Sequence, residues 1–271
     1  MDFNTPIRAA LQERQTAYGF WLTLPSPALA RSLLRSTSLS PSPSFDWVFI
    51  DAEHGLISDK DYYELTNAIA SEGASPIIRV PWNEEWMIKR ALDAGCHGVL
   101  TPMCHSADDA RKIVQYSKYP PLGSRGYGPM FAPHCFHGLP AGQYDERANE
   151  DLLVAVQIES RSAVENVEEI AQVEGVDVLL IGPFDLAKQM GVTRGSEEHE
   201  AAIQKTLKAA KLAGKKTAIF CTNGAQTRSR AQEGFDMVSI ITDLGVLEEG
   251  MMRELAVATD VQPQEKERDQ Y

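Results

Sequence analysis

LLVAVQIESRSAVENVEEIAQVEGVDVLLIGPFDLAKQMG, residues 152–191, sets a short apolar run against an amphipathic stretch, then begins the pair again. Uniform runs of Val, Leu and Ile this short are what parallel strands covered on both faces look like. The stretches between them carry helical periodicity. Working outward, the same alternation recurs on both sides. Strands are expected at 98–101, 75–80, 45–51 and 19–24 toward the N-terminus, and at 216–221 and 236–241 toward the C-terminus. Helices are expected at 59–72, 84–94, 107–117, 160–172, 197–213, 225–233 and 244–258. Gly73, Gly95, Gly214 and Gly234 stand where a left-handed residue would stop them. Eight such units predict an α/β fold, a (β/α)8 barrel. A doubly wound sheet is the alternative, but no G-x-G-x-x-G follows the first strand.

Two stretches interrupt the rhythm. Residues 36–44 (STSLSPSPS) read as a surface loop on the N-terminal face. Residues 119–150, rich in Pro, Gly and His, are expected as a long loop on the catalytic face, a lid or a subunit contact. The expected organisation is one barrel domain over residues 1–261 and a polar, disordered tail over 262–271. In its 271 residues the chain carries a formal charge of −12, which argues against nucleic acid or an anionic membrane as partner. No window approaches a membrane span, and the N-terminus does not read as a secretory signal. Cys96, Cys104, Cys135 and Cys221 show no metal-like spacing. They read as free thiols in a reducing compartment, the cytoplasm.

In a barrel of this kind, polar residues at the C-terminal strand ends form the site. Strand one carries Trp21, strand two ends in Asp51-Ala52-Glu53-His54-Gly55, and strand three holds Arg79. Strand five ends in Gln157-Ile158-Glu159 and strand six in Gly182-Pro183-Phe184-Asp185. Glu159 and Asp185 suit a hard divalent cation, Mg²⁺, Mn²⁺ or Co²⁺, with substrate and water completing its shell. Each could alternatively be a helix-start carboxylate. His54 is the candidate general base, or a rim histidine bonded to a carbonyl. Arg79 lies in an otherwise apolar strand and needs an anion. A substrate carboxylate or enolate is favoured, with an internal salt bridge as the alternative. The remaining histidines do not form a metal-ligand set, and Trp82 and Trp86 read as packing or subunit contacts.

FDWVFIDAEHG (45–55), IIRVPWN (77–83), ALDAGCHGVLTPM (91–103), GSRGYG (123–128), VQIES (156–160) and IGPFDLAKQMG (181–191) occur in this order. As an ordered set they resemble the HpcH/HpaI aldolase family, class II 2-oxo acid aldolases. The resemblance spans roughly residues 19–255. It implies a (β/α)8 barrel, assembled as a homo-oligomer (a hexamer), that uses a divalent metal to enolise pyruvate. Position by position, it makes His54 the proton acceptor and Arg79 the transition-state-stabilising arginine. Gln157 becomes the substrate-contacting amide, and Glu159 and Asp185 the metal carboxylates. The backbone amides at Phe184 and Asp185 receive the pyruvate carboxylate, Trp21 joins the substrate contacts, and Asp93 raises the basicity of the histidine. Asp93 ends a helix and should lie away from its own chain's site, so a neighbouring subunit could supply it. PMFAPHCFHG (129–138), Phe184 and Ala187 depart from the family pattern and bear on the aldehyde half.

The chemistry implied is cleavage of a 4-hydroxy-2-oxo acid to pyruvate, or a close 2-oxo acid, and an aldehyde, or the reverse. Lys216 stands at the start of strand seven, the wrong end of the barrel for a Schiff base. The competing readings are a CoA-thioester lyase of citramalyl or malyl type and a non-catalytic metabolite-binding barrel.

Overall fold

A computed structural model describes residues 3, 5–13, 16–38, 44–139 and 142–261. The expected tail at 262–271 lies outside them, as do residues 39–43 of the loop expected over 36–44; residues 36–38 of that stretch end a helix instead. Among the described residues the eight strands are β1 (Ala17–Leu22), β2 (Trp47–Asp51), β3 (Ser75–Arg79), β4 (Gly98–Thr101), β5 (Leu153–Ile158), β6 (Val178–Ile181), β7 (Lys216–Ile219) and β8 (Met237–Thr242). They pair in sequence order, and β1 returns to pair in parallel with β8, closing the barrel.

The helices follow in the same order. α1 (Pro6–Glu13) precedes the first strand, and α2 (Pro27–Ser38), α3 (Tyr62–Ser71), α4 (Glu85–Asp93) and α5 (Ala107–Ser117) each follow one. α6 (Tyr144–Asp151) leads into β5. α7 (Arg161–Glu165) and α8 (Val167–Ala171) replace the single helix expected over 160–172. The turn between them falls at Asn166, whose amide Nδ2 reaches the His105 carbonyl at 2.9 Å. α9 (Pro183–Met190), α10 (Glu197–Leu212), α11 (Gly224–Glu233) and α12 (Asp243–Ala258) complete the helices among the described residues.

Side-chain direction alternates along each strand, and the two buried clusters follow that alternation. Trp21, Trp47, Phe49, Ile77, Leu100, Ala155, Leu180 and Phe220 fill the barrel interior. Val48, Ile50, Ile78, Val99, Val154, Val156, Leu179 and Ile181 face the helices. The Trp47 indole occupies the space beside Gly19, where a Cβ would sit 2.1 Å from the ring. α1 covers the lower end of the barrel: Ile7 is fully buried in the interior cluster, and its amide donates to Ser75 Oγ at 3.0 Å.

β1 runs two residues earlier than expected. The amides of Thr23 and Leu24 donate instead to the Asp243 carboxylate, at 2.9 and 3.0 Å, so the strand ladder ends at Leu22. The 119–150 segment also departs from expectation. It follows α5 rather than β4 directly, and residues 132–136 pack at the N-terminal end of β4. There the Cys135 carbonyl meets His97 Nε2 at 2.9 Å. This part of the segment lies on the face opposite the catalytic rim. All four cysteines are buried and free, and no described helix is long and apolar enough to cross a membrane.

Candidate active site

The inward parity that places Phe49, Ile77 and Ala155 in the barrel carries upward to Asp51, Arg79, Gln157 and Glu159. Register then brings partners side by side, because Asp51 is the β2 neighbour of Arg79 on β3. The buried Arg79 guanidinium donates from Nε to Asp51 Oδ1 at 3.0 Å and from Nη2 to Oδ2 at 2.6 Å. Its Nη1 meets Glu53 Oε2 at 3.0 Å, and its carbon lies 4.5 Å from the Trp21 ring centroid. The arginine therefore has the internal salt bridge that the sequence left as an alternative.

Asp51 Oδ1 also accepts the backbone amides of Glu53 and His54, both at 3.1 Å. One carboxylate thus orients the guanidinium and shapes the turn that presents His54. Gly55 is required in that turn, since a Cβ would fall 2.3 Å from the Asp51 carbonyl. The His54 imidazole is half exposed, with Nε2 3.8 Å from Glu53 Oε1. Burial raises the Glu53 carboxyl above its usual range, opposed by Arg79 and His54 and helped by Asp51 and Asp185.

Glu159 is nearly fully buried. Its Oε1 accepts the Met103 amide at 2.8 Å, and its Oε2 accepts from Gln157 Nε2. Met103 adopts φ of 54°, a costly backbone state for a residue with a side chain and one that functional sites often hold. Burial pushes the Glu159 carboxyl up to about 7, against the Met103 amide, and Asp185 and Glu53 add to the rise. Gly182 follows β6 directly. A Cβ there would lie 2.5 Å from Glu159 Oε2 and 2.6 Å from Gln157 Nε2.

Asp185 is half-buried in the first turn of α9, where the helix start also directs the amides of Phe184 and Asp185 outward. The Phe184 ring stands edge-on to Phe220 at 5.8 Å and carries the Arg194 guanidinium at 4.5 Å from its centroid. Asp93 is not brought to this rim. It ends α4 at the opposite end of the barrel, where Arg125 Nη2 donates to its Oδ1 at 2.7 Å.

The donor set fits a hard cation. Glu159 and Asp185 stand at the ends of neighbouring strands, close enough for the charge of one to raise the carboxyl of the other, and Gln157 Oε1 is buried without a hydrogen-bond partner. Leaving such an atom unpaired costs about 1–3 kcal/mol, which a bound ligand would recover. Among the described residues no three His, Cys, Asp or Glu side chains cluster as a ready ligand set. Two carboxylates plus water and substrate is an arrangement typical of Mg²⁺. His134 and His137 are engaged elsewhere, with the Tyr63 hydroxyl and the Ala70 carbonyl.

Beside His54 opens a cavity of about 360 Å³ lined by Trp21, Leu24, Leu56, Phe220, Leu244 and Glu248, among others. The sequence names Gly182 at the end of strand six but gives it no role, and it shows neither the joint hold of Asp51 and Glu53 on Arg79 nor this cavity. Strand parity could have found Asp51, because it shares the inward phase of Trp47 and Phe49. The cavity had no local signal, since its walls come from the two ends of the chain.

A profile of the HpcH/HpaI aldolase/citrate lyase family matches residues 17–249. The chain is 31% identical over 267 residues to a 2-keto-3-deoxy-L-rhamnonate aldolase of Klebsiella pneumoniae, covering 97% of each. It is 35% identical over 244 residues to a 4-hydroxy-2-oxo-heptane-1,7-dioate aldolase of Shigella flexneri, covering 89% of this chain and 88% of that one. A crystal structure of an HpcH/HpaI aldolase/citrate lyase family protein from Burkholderia cenocepacia superposes with a TM-score of 0.84. The two are 31% identical, over 94% of this chain and all of the other.

Proposed function

Since the chain belongs to the HpcH/HpaI aldolase/citrate lyase family, we propose that it is a class II pyruvate-type aldolase. It would cleave a 4-hydroxy-2-oxo acid to pyruvate, or a close 2-oxo acid, and an aldehyde. The observation that carries this reading is the convergence on one rim of a locked guanidinium, a two-carboxylate end and a half-exposed histidine.

Glu159 and Asp185 would hold a divalent cation such as Mg²⁺, Mn²⁺ or Co²⁺, which when bound supplies Lewis acidity toward the keto oxygen. The chain's own groups do the rest. The outward amides at the start of α9 receive the 2-oxo acid carboxylate, and Gln157 orients it. Arg79, fixed by Asp51 and Glu53, presents positive charge where the enolate oxygen develops. His54 takes the proton of the 4-hydroxyl as the C3–C4 bond breaks. The bonding electrons pass to C3, the C4 oxygen becomes the aldehyde carbonyl, C3 takes a proton from water to give pyruvate, and His54 returns its proton to solvent.

The same reading makes the protein a cytoplasmic homo-oligomer in which Asp93 could serve a neighbour's site. Exposed Met251, Met252, Leu255 and Val257 on α12 support an assembly that covers them. The test is pyruvate release from 4-hydroxy-2-oxo acids, coupled to lactate dehydrogenase, before and after EDTA. Release that stops on chelation and returns with Mg²⁺ or Mn²⁺ is expected. Full turnover after exhaustive chelation would remove the class II assignment.

A further inference from the structure

Resting on the aldolase reading above, we propose that the aldehyde half of the substrate is uncharged, a short aliphatic or hydroxylated aldehyde rather than one ending in a carboxylate. His54 lines the cavity of about 360 Å³, so the oxygen whose proton it moves sits at the cavity mouth. Whatever substituent C4 carries must extend into that space. At about 30 Å³ per water, the cavity holds roughly ten non-hydrogen atoms, enough for a short aldehyde with some water.

Its walls are apolar and acidic. Trp21, Leu24, Leu56, Phe220 and Leu244 supply the apolar surface, and Glu248 adds a carboxylate at the rim. Asp51 also lines it, but its oxygens are committed to Arg79 and the Glu53–His54 turn. Among the described residues lining it there is no Lys or Arg. The nearby guanidiniums are held elsewhere. Arg79 lies against Trp21 between two carboxylates, and Arg194 lies on Phe184, which is not part of the lining. A carboxylate entering here would give up hydration with neither a Lys nor an Arg among the described lining residues to replace it, and would face Glu248. A hydroxyl or methyl group meets no such penalty. A 2-oxo dicarboxylic skeleton would send its second carboxylate into this cavity; a deoxy-sugar acid would send hydroxyls and a methyl.

The test compares two aldehydes of one carbon skeleton, succinic semialdehyde with its charged end and the neutral methyl ester, as acceptors for pyruvate with Mn²⁺ present. Addition is followed by NMR, which also reads exchange of the pyruvate methyl protons. The ester should be preferred by about tenfold or more in kcat/KM, and Glu248→Lys should shrink that ratio several-fold. Equal or greater use of the acid overturns the inference, as does an unchanged ratio in Glu248→Lys. Exchange without addition to either aldehyde overturns it too, because the cavity then accepts no neutral acceptor. Loss of both exchange and addition overturns the aldolase reading instead.

Discussion

Gly182 earns its place by lacking a side chain. Gly182→Ala would drive a methyl group into Glu159 and Gln157, so activity should fall at least about 100-fold, as a small misplacement of catalytic groups can produce. Far-UV circular dichroism should stay native, because the clash is confined to the rim. Native-like turnover in this variant would mean that the Glu159–Gln157 pair is not the working arrangement. His54 and Arg79 divide the chemistry differently. His54→Ala should slow cleavage by roughly 10²–10⁴-fold while pyruvate methyl exchange persists, since only the hydroxyl proton needs that base. Arg79→Ala should suppress exchange and cleavage together, by about 2.7–4 kcal/mol of transition-state stabilisation. It also strands Asp51 and Glu53, at a further cost of about 3–5 kcal/mol in stability. Arg79→Lys keeps the charge and should fold better, yet recover little exchange, because an ammonium cannot reproduce the planar fork. Exchange at the wild-type rate in Arg79→Ala would reduce that residue to a structural ion-pair partner, and in Arg79→Lys it would show that charge suffices without the fork.

At the scale of elements, β3 and β4 are joined beneath the barrel by His97. Its Nε2 faces the Cys135 carbonyl, which can only accept, so Nε2 carries the proton and Nδ1 receives Ser75 Oγ at 3.0 Å. Burial pushes the imidazole down to about 4. The unfolded chain, titrating near 6.5, therefore binds the proton more tightly than the folded one. This contribution to stability is whole above pH 6.5 and drains away as pH falls toward 4. The expected loss between pH 7 and pH 5 is about 2 kcal/mol, measurable by urea unfolding and absent in His97→Gln. A pH slope unchanged in His97→Gln would assign the effect elsewhere. The strands were legible because being covered on both faces leaves a continuous apolar run, and the glycine stops marked helix ends. α1 and α6 were not. Each is short, and α1 is held by Ile7 inside the barrel, a contact with residues far along the chain. The site was legible as residue types at strand ends. Arg79's partners were not, because choosing Asp51 or a substrate depends on register between strands, which one sequence does not state.

For the whole molecule, α12 sets the expectation. Met251, Met252, Leu255 and Val257 are each more than 60% exposed, an unusual display for a lone chain. Light scattering behind size exclusion should give a multiple of 29.9 kDa. If Asp93 serves a neighbour, mixed oligomers of Asp93→Asn and His54→Ala subunits should regain activity that neither parent has; mixing without recovery would place Asp93 outside the chemistry. The Trp21–Arg79 stack has an optical consequence. Of the four tryptophans, Trp82 and Trp86 face solvent and should quench with acrylamide, while Trp47 is sealed at the barrel floor. Trp21 is also shielded, but its indole lies under the Arg79 guanidinium, beside the cavity that opens at His54. With the surface emission quenched, any shift that pyruvate or a metal ion induces is carried by Trp21 above a constant Trp47 background, so the enzyme holds its own fluorescent gauge of occupancy.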